Sequence, residues 1–303
     1  MGKRMVPLLA HHHLRAPRQS APVRTADVRC AAQPRERTSR RLTLPAVGAS
    51  VAAMHTPNDS FVEPPAEVVA LARKWLAPVR AAVGPEFVAG YLTGSVLTRG
   101  FDPKHSHVNV LVVVRSLDGP RLDAVARSLP AQRRPPFIDP LFLSRSQIEG
   151  SLDSFPIEWV EIQERHLRLE GDDVFTGLQV PRTYLRLQCE HELRGKHIQL
   201  RQNYLLHRSD GAALARMLRA SASGFATLFR TLLRLRGEPL PAEPARIIQR
   251  VADLYQLDAQ GLLSAHLFRY STRRYKADEV LVLYHRFLAE VGRLIGALDE
   301  MSL

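Results

Sequence analysis

No stretch of the 303 residues approaches the roughly 18 consecutive apolar positions that a membrane-crossing helix needs, so no spanning helix is expected. Cysteine is almost missing as well. Cys30 and Cys189 are the only two, too few and too far apart for a disulfide framework, and both are expected to be reduced thiols of a cytoplasmic protein. There is no cysteine pair at zinc spacing, no Walker-type phosphate loop and no Gly-x-Ser-x-Gly nucleophile turn. What remains is a chain of ordinary apolar content, 45%, long enough for one large domain or two average ones.

Acidic residues are scarce at one end. Residues 1–55 hold ten Lys or Arg against Asp27 and Glu36, an excess of eight out of the chain's net +12. The remaining residues therefore carry only +4. The same stretch has no aromatic residue and no sustained periodicity, so it cannot bury enough apolar surface to offset its ordering entropy. It is expected to be a disordered basic tail. Met54 as a downstream start, or an Arg-rich targeting peptide, are the alternatives. A basic tail can also hold nucleic acid through its phosphates, although the mildly basic remainder gives that partner weak support. His11, His12 and His13 read as incidental residues on that tail rather than as metal ligands.

From residue 63 onward the pattern changes. After Pro64 and Pro65, apolar residues recur at helical spacing through Val68, Leu71, Ala72, Trp75, Leu76 and Val79, with Pro78 expected to kink or end the helix. Residues 86–95 read as a strand entering a turn, and the β-branched run 107–114 reads as a buried strand. A short helix is expected at about 119–129, then a strand at 140–144. A helix follows over 144–155, with Ser146 as N-cap and Glu149 completing a capping box. Residues 155–163 are expected to be a further strand. Such alternation argues for an α/β core. Beyond Gly171 the period is helical in four long stretches, which predicts a bundle of four or more helices. The expected organisation is a tail over 1–60, an α/β unit over 61–175 and a helical unit over 176–303.

The segment YLTGSVLTRGFDPKHSHVNVLVVV (residues 91–114) resembles the signature of the nucleotidyltransferase superfamily, the group of DNA polymerase beta and the aminoglycoside nucleotidyltransferases. The resemblance covers about 100 residues, from 66 to 170, and the helical remainder suits the C-terminal domain that many members carry. It implies an α/β (α+β) core with a mixed sheet, followed by an all-α bundle. In that family a Gly-Ser turn lets the backbone approach a nucleoside triphosphate. Two carboxylates at i and i+2 on a strand share two Mg²⁺ ions, and a third carboxylate comes from a neighbouring strand.

Carried onto this chain, the resemblance puts Gly94 and Ser95 at the phosphate-binding turn, and His107 and Asn109 at the two carboxylate positions. Glu158 takes the third acidic position. Residues 165–175 correspond to the family's next helix and turn. The acidic pair is therefore missing, because an imidazole and an amide bring no charge to a site meant for two dications. Asp102, on the intervening loop, and Glu158 are the remaining carboxylates that could hold a metal.

Three readings follow. The chain is a catalytically impaired nucleotidyltransferase-like protein that binds a nucleotide or a protein partner. Alternatively it is an active enzyme that transfers a nucleoside monophosphate to a hydroxyl using Mg²⁺ and atypical ligands. In the third reading, the helical half is a regulatory or protein-interaction module. The Arg201…His207 spacing matches helical ribonucleases only by a pattern that chance supplies, and it reads as a solvated face. Arg230, Arg234 and Arg236 read likewise as a basic solvated stripe.

Overall fold

The computed structural model describes residues 61–98, 101–104, 106–132 and 134–301. The basic tail, its histidines, Cys30 and Met54 lie outside the described residues, and so do the expectations placed on them.

Helix α1 (Ala66–Val83) and strands β1 (Phe87–Thr93) and β2 (Val108–Val114) fall where the apolar spacing puts them. Pro78 lies inside α1 without ending it, on the exposed side of the helix. Helix α2 (Gly119–Ser128) connects β2 to β3 (Ile138–Ser144), a crossover that allows those two strands to run parallel. Asp118 caps α2 through the backbone N–H of Arg121. Helix α3 (Arg145–Glu149) starts two residues earlier than expected. Ser144 is its N-cap and Gln147 completes the capping box, in place of Ser146 and Glu149.

The largest correction concerns residues 155–163. They form helix α4 (Pro156–Glu164), not a strand. Pro156 sits at the first helical position, where its fixed φ and missing N–H cost nothing. Ile157, Trp159 and Val160 are buried around the helix, which removes the one-sided stripe that identifies a surface helix. The segment after it, expected as helix and turn, is strand β4 (His166–Gly171).

The four strands form a mixed sheet in the order β3-β2-β1-β4, with β2 and β3 parallel and the other pairs antiparallel. One face carries Val108, Val110, Val112 and Val114 against Val68, Ala72, Trp75, Leu76 and Val79 of α1. Gly90 of β1 allows the close approach, since a Cβ there would stand 2.5 Å from Leu76 Cδ2.

The opposite face carries Ala89, Tyr91, Leu111 and Val113 into a second, larger core that continues through α4 into the helical region. That region consists of α5 (Arg182–His207), α6 (Gly211–Leu235), α7 (Pro244–Tyr255), α8 (Ala259–Phe268) and α9 (Ala277–Asp299). The α/β core with a mixed sheet, followed by helices, is thus the fold of the described residues. Long α5 side chains tie the bundle at its ends. Arg182 donates to the Leu235 carbonyl at the end of α6, and Arg186 donates to the Leu298 carbonyl near the end of α9 at 3.2 Å.

Candidate functional site

Register decides what lies beside the turn after β1. Thr93 pairs with Asn109 of β2 on one side and with His166 of β4 on the other, while Asn109 pairs with Asp139 of β3. All four lie on the face that carries Tyr91 and Leu111, because their neighbours Leu92, Val110, Ile138 and Leu167 pack on the face of α1. One polar row, Asp139–Asn109–Thr93–His166, therefore crosses the whole sheet at one end. The next row inward, Leu141–Leu111–Tyr91–Arg168, is mostly apolar. At about 4.8 Å per strand, the polar row spans roughly 14 Å from Asp139 to His166.

The turn that follows Thr93 is a 3-10 turn over Gly94–Leu97. Gly94 has φ 79°, a left-handed value that a side chain resists. Ser95 is half-exposed. Its carbonyl accepts from the Thr98 backbone N–H and hydroxyl, the latter at 2.8 Å, which pins the turn. The first N–H groups of such a turn have no partner within it. They belong to the residues that directly follow Thr93.

Most of these polar atoms are idle. Among the described residues, the side chains of Asp139, Asn109, Thr93 and Ser95 make no hydrogen bond or ion pair. His107, just before β2, is half-buried with its ring 6.1 Å from that of Phe137. His166 uses one nitrogen only, Nδ1, at 2.9 Å from the Ile162 carbonyl oxygen of α4. Since a carbonyl accepts, Nδ1 carries the proton and Nε2 of the neutral ring is bare. Its ring stands edge-on to Tyr91 at 5.4 Å and lies 4.7 Å from Phe175.

The expected site residues divide. Gly94, Ser95 and Asn109 come together in this corner, with His107 one residue before β2. Glu158 lies on α4 and not on a strand. Its Oε2 accepts from Gln188 of α5 at 2.9 Å, so it serves the packing of two helices. Asp102 is exposed, and its Oδ1 accepts from the Lys104 backbone N–H at 2.9 Å in a local turn. The carboxylate next to Asn109 is Asp139, which belongs to β3 although it lies one residue outside the strand expected at 140–144. The signal was present in the spacing: Asp139 stands two residues before Leu141, on the same face.

The donor set does not fit a pair of Mg²⁺ ions. Asp139 is the one carboxylate in the row, beside an amide, a hydroxyl and imidazoles, whereas Mg²⁺ requires hard and mostly charged oxygen ligands. No group of three or more His, Cys, Asp and Glu among the described residues could hold a metal ion.

A second polar constellation lies directly beside the first. Glu161 and Glu164 of α4 meet Arg230 and Arg234 of α6, and Arg165 closes back on Glu161. Arg230 binds both Glu161 oxygens at 3.0 and 3.1 Å. Arg234 reaches Glu164 at 2.8 and 2.5 Å and Glu161 at 2.7 Å. The side chains of Arg234 and Arg165 are 4% and 8% exposed, so the expected solvated stripe is instead a buried lock. Burial, and then Arg230 and Arg234, push the Arg165 guanidinium down to about 9. Arg236, the third member of the expected stripe, lies 5.3 Å from the Tyr255 ring.

No helix among the described residues is long and apolar enough to cross a membrane. No family model matches the chain, and no curated protein matches it. Among solved structures, it is similar to a spectinomycin adenyltransferase from Enterococcus faecialis, solved with ATP and spectinomycin. The overlap covers 78% of this chain and 100% of that one, at 13% identity and a TM-score of 0.44. A likeness of that degree carries no argument about what this chain binds or does.

Proposed function

We propose that this protein is a nucleotidyltransferase-like protein that binds a nucleoside triphosphate at the Gly94–Ser95 turn without the two-metal chemistry of an active transferase. The observation that carries this reading is the row of uncommitted polar side chains beside that turn. Fully buried polar groups in a folded protein are normally partnered, and a run of unpartnered, solvent-reachable ones at one sheet end leaves hydrogen-bonding capacity open to water or a ligand. Hydroxyls and turn amides suit phosphate oxygens. A single carboxylate at Asp139, where transfer needs three, removes the means of holding two dications.

Thermal unfolding with ATP, CTP or GTP, in EDTA and again with Mg²⁺ or Mn²⁺, tests this reading. A nucleotide that binds only the folded chain contributes about 2.7 kcal/mol at a hundredfold excess over its dissociation constant. The expected result is stabilisation of that kind in EDTA, unchanged by metal. Metal-dependent stabilisation with release of pyrophosphate would establish an active transferase instead. No response to any nucleotide would point to the helical half as the working part. Replacing His107 and Asn109 together by Asp is expected to make nucleotide binding respond to Mg²⁺.

A further inference from the structure

We propose that His166 is a phosphate ligand beside the Gly94–Ser95 turn, its Nε2 taking up a proton as the anion binds. The inference rests on the nucleotide-binding reading above and adds a residue to it.

The tautomer of the ring is set by its one hydrogen bond. The Ile162 carbonyl holds the Nδ1 proton at 2.9 Å, so the neutral ring offers a phosphate only a lone pair at Nε2, which repels it. One added proton converts that atom into a charged donor, while the Nδ1 bond and the ring position stay as they are. The ring needs no other rearrangement, because Tyr91 and Phe175 already fix its plane. Nε2 makes no hydrogen bond among the described residues.

The order of the row agrees. Thr93 and the turn that follows it lie between Asp139 and His166 and are the donors next to the ring, while the Asp173 carboxylate on the ring's own side favours a cation at His166. The other ionisable groups around the ring are largely committed. The Tyr91 hydroxyl of β1 donates to the Asp172 carbonyl at 2.5 Å. Asp173, after β4, accepts from the Phe175 N–H and the Thr176 hydroxyl, which hold its carboxyl below the usual range with attraction to His166 adding to them. Arg165 at the end of α4 is bound to Glu161. Arg168, two residues along β4, is exposed. A cation at Nε2 is thus the charge this corner can still add.

The test is calorimetric titration of the full chain with ATP in EDTA from pH 5.5 to 8, in buffers of differing ionisation enthalpy to count protons. His166→Asn is the informative variant, since its amide keeps a donor where Nδ1 stands and removes Nε2. Wild type is expected to bind at least about fivefold more tightly at pH 6 than the variant does, and to converge with it by pH 8. It should also take up a larger fraction of a proton near neutral pH. Comparison at equal pH cancels the titration of ATP itself. Histidine NMR on the wild-type chain is a second readout that needs no variant, and the His166 transition should move up by about one pH unit or more on saturation with ATP. If the variant matches wild type in affinity, pH slope and proton count, or if the NMR transition stays in place, His166 only supports the fold and the inference falls. Failure of wild type to bind ATP at any pH would instead overturn the nucleotide reading beneath it.

Discussion

Two polar regions meet at the last turn of α4, and they are opposites. On one side, Glu161, Glu164, Arg165, Arg230 and Arg234 pair with one another in a largely buried joint between α4 and α6, where only Arg234 Nη1 of the cluster is buried without a hydrogen bond among the described residues. On the other, the side chains of Asp139, Asn109, Thr93 and Ser95 make no hydrogen bond or ion pair among the described residues. Charge is therefore a poor guide to function here. The strongly charged cluster holds the fold, and the weakly charged row is the place where something else can bind. What separates them is commitment: a side chain whose hydrogen bonds are already filled has none to offer a ligand.

The contrast breaks most visibly at Glu161. Replacing it by Ala strands Arg230 and Arg165 in a buried setting, an expected loss of about 3–5 kcal/mol in chemical denaturation. A loss below about 1 kcal/mol would mean that the joint is ornamental. Next comes the shared core beneath both regions, reported by Cys189. Burial, with Glu192 and Glu190 adding, pushes its thiol up to about 12, against about 8.5 in an unfolded chain. The raised value favours the folded state fully below pH 8.5 and is lost as pH climbs toward 12. By pH 10 the expected loss is about 2 kcal/mol relative to a Cys189→Ala chain, and equal slopes for the two would refute the burial of the thiol.

A smaller effect is expected at the edge of the idle row. Gly94→Val forces a side chain into a left-handed backbone, costing about 1–2 kcal/mol, and should abolish nucleotide stabilisation in the thermal assay. The smallest effects belong to the row itself. Asp139→Asn and Asn109→Ala should leave stability within about 0.5 kcal/mol of wild type while changing any ligand response. A large stability cost at either residue would show that the row is structural after all.

Much of this was legible in the residues, for reasons that also explain the misses. The strands β1 and β2 and the long helices announce themselves by period, since each buries one face or both. Helix α4 hid because it is buried on several sides, and its aromatic and β-branched content mimics a strand; Pro156 at its start was the overlooked sign. That error carried two others with it. With 155–163 read as a strand, Glu158 became the third carboxylate, and Asp139 was passed over. Arg230 and Arg234 could not be recognised as buried either, because their partners Glu161 and Glu164 share a face only on a helix. Idleness itself has no sequence signature. It appears only once every neighbour is known.

The final turn of α4 also sets a limit on how this chain can vary in length. Glu161 is fastened to α6, while the very next carbonyl, that of Ile162, holds the His166 ring, and His166 opens the strand paired with β1. A residue inserted between 162 and 166 would lengthen the link between the Ile162 carbonyl and the strand position at which His166 pairs with Thr93. Both attachments could not then be kept. Insertions and deletions elsewhere on the surface can be absorbed by loops, but these few residues form a spacer of fixed length.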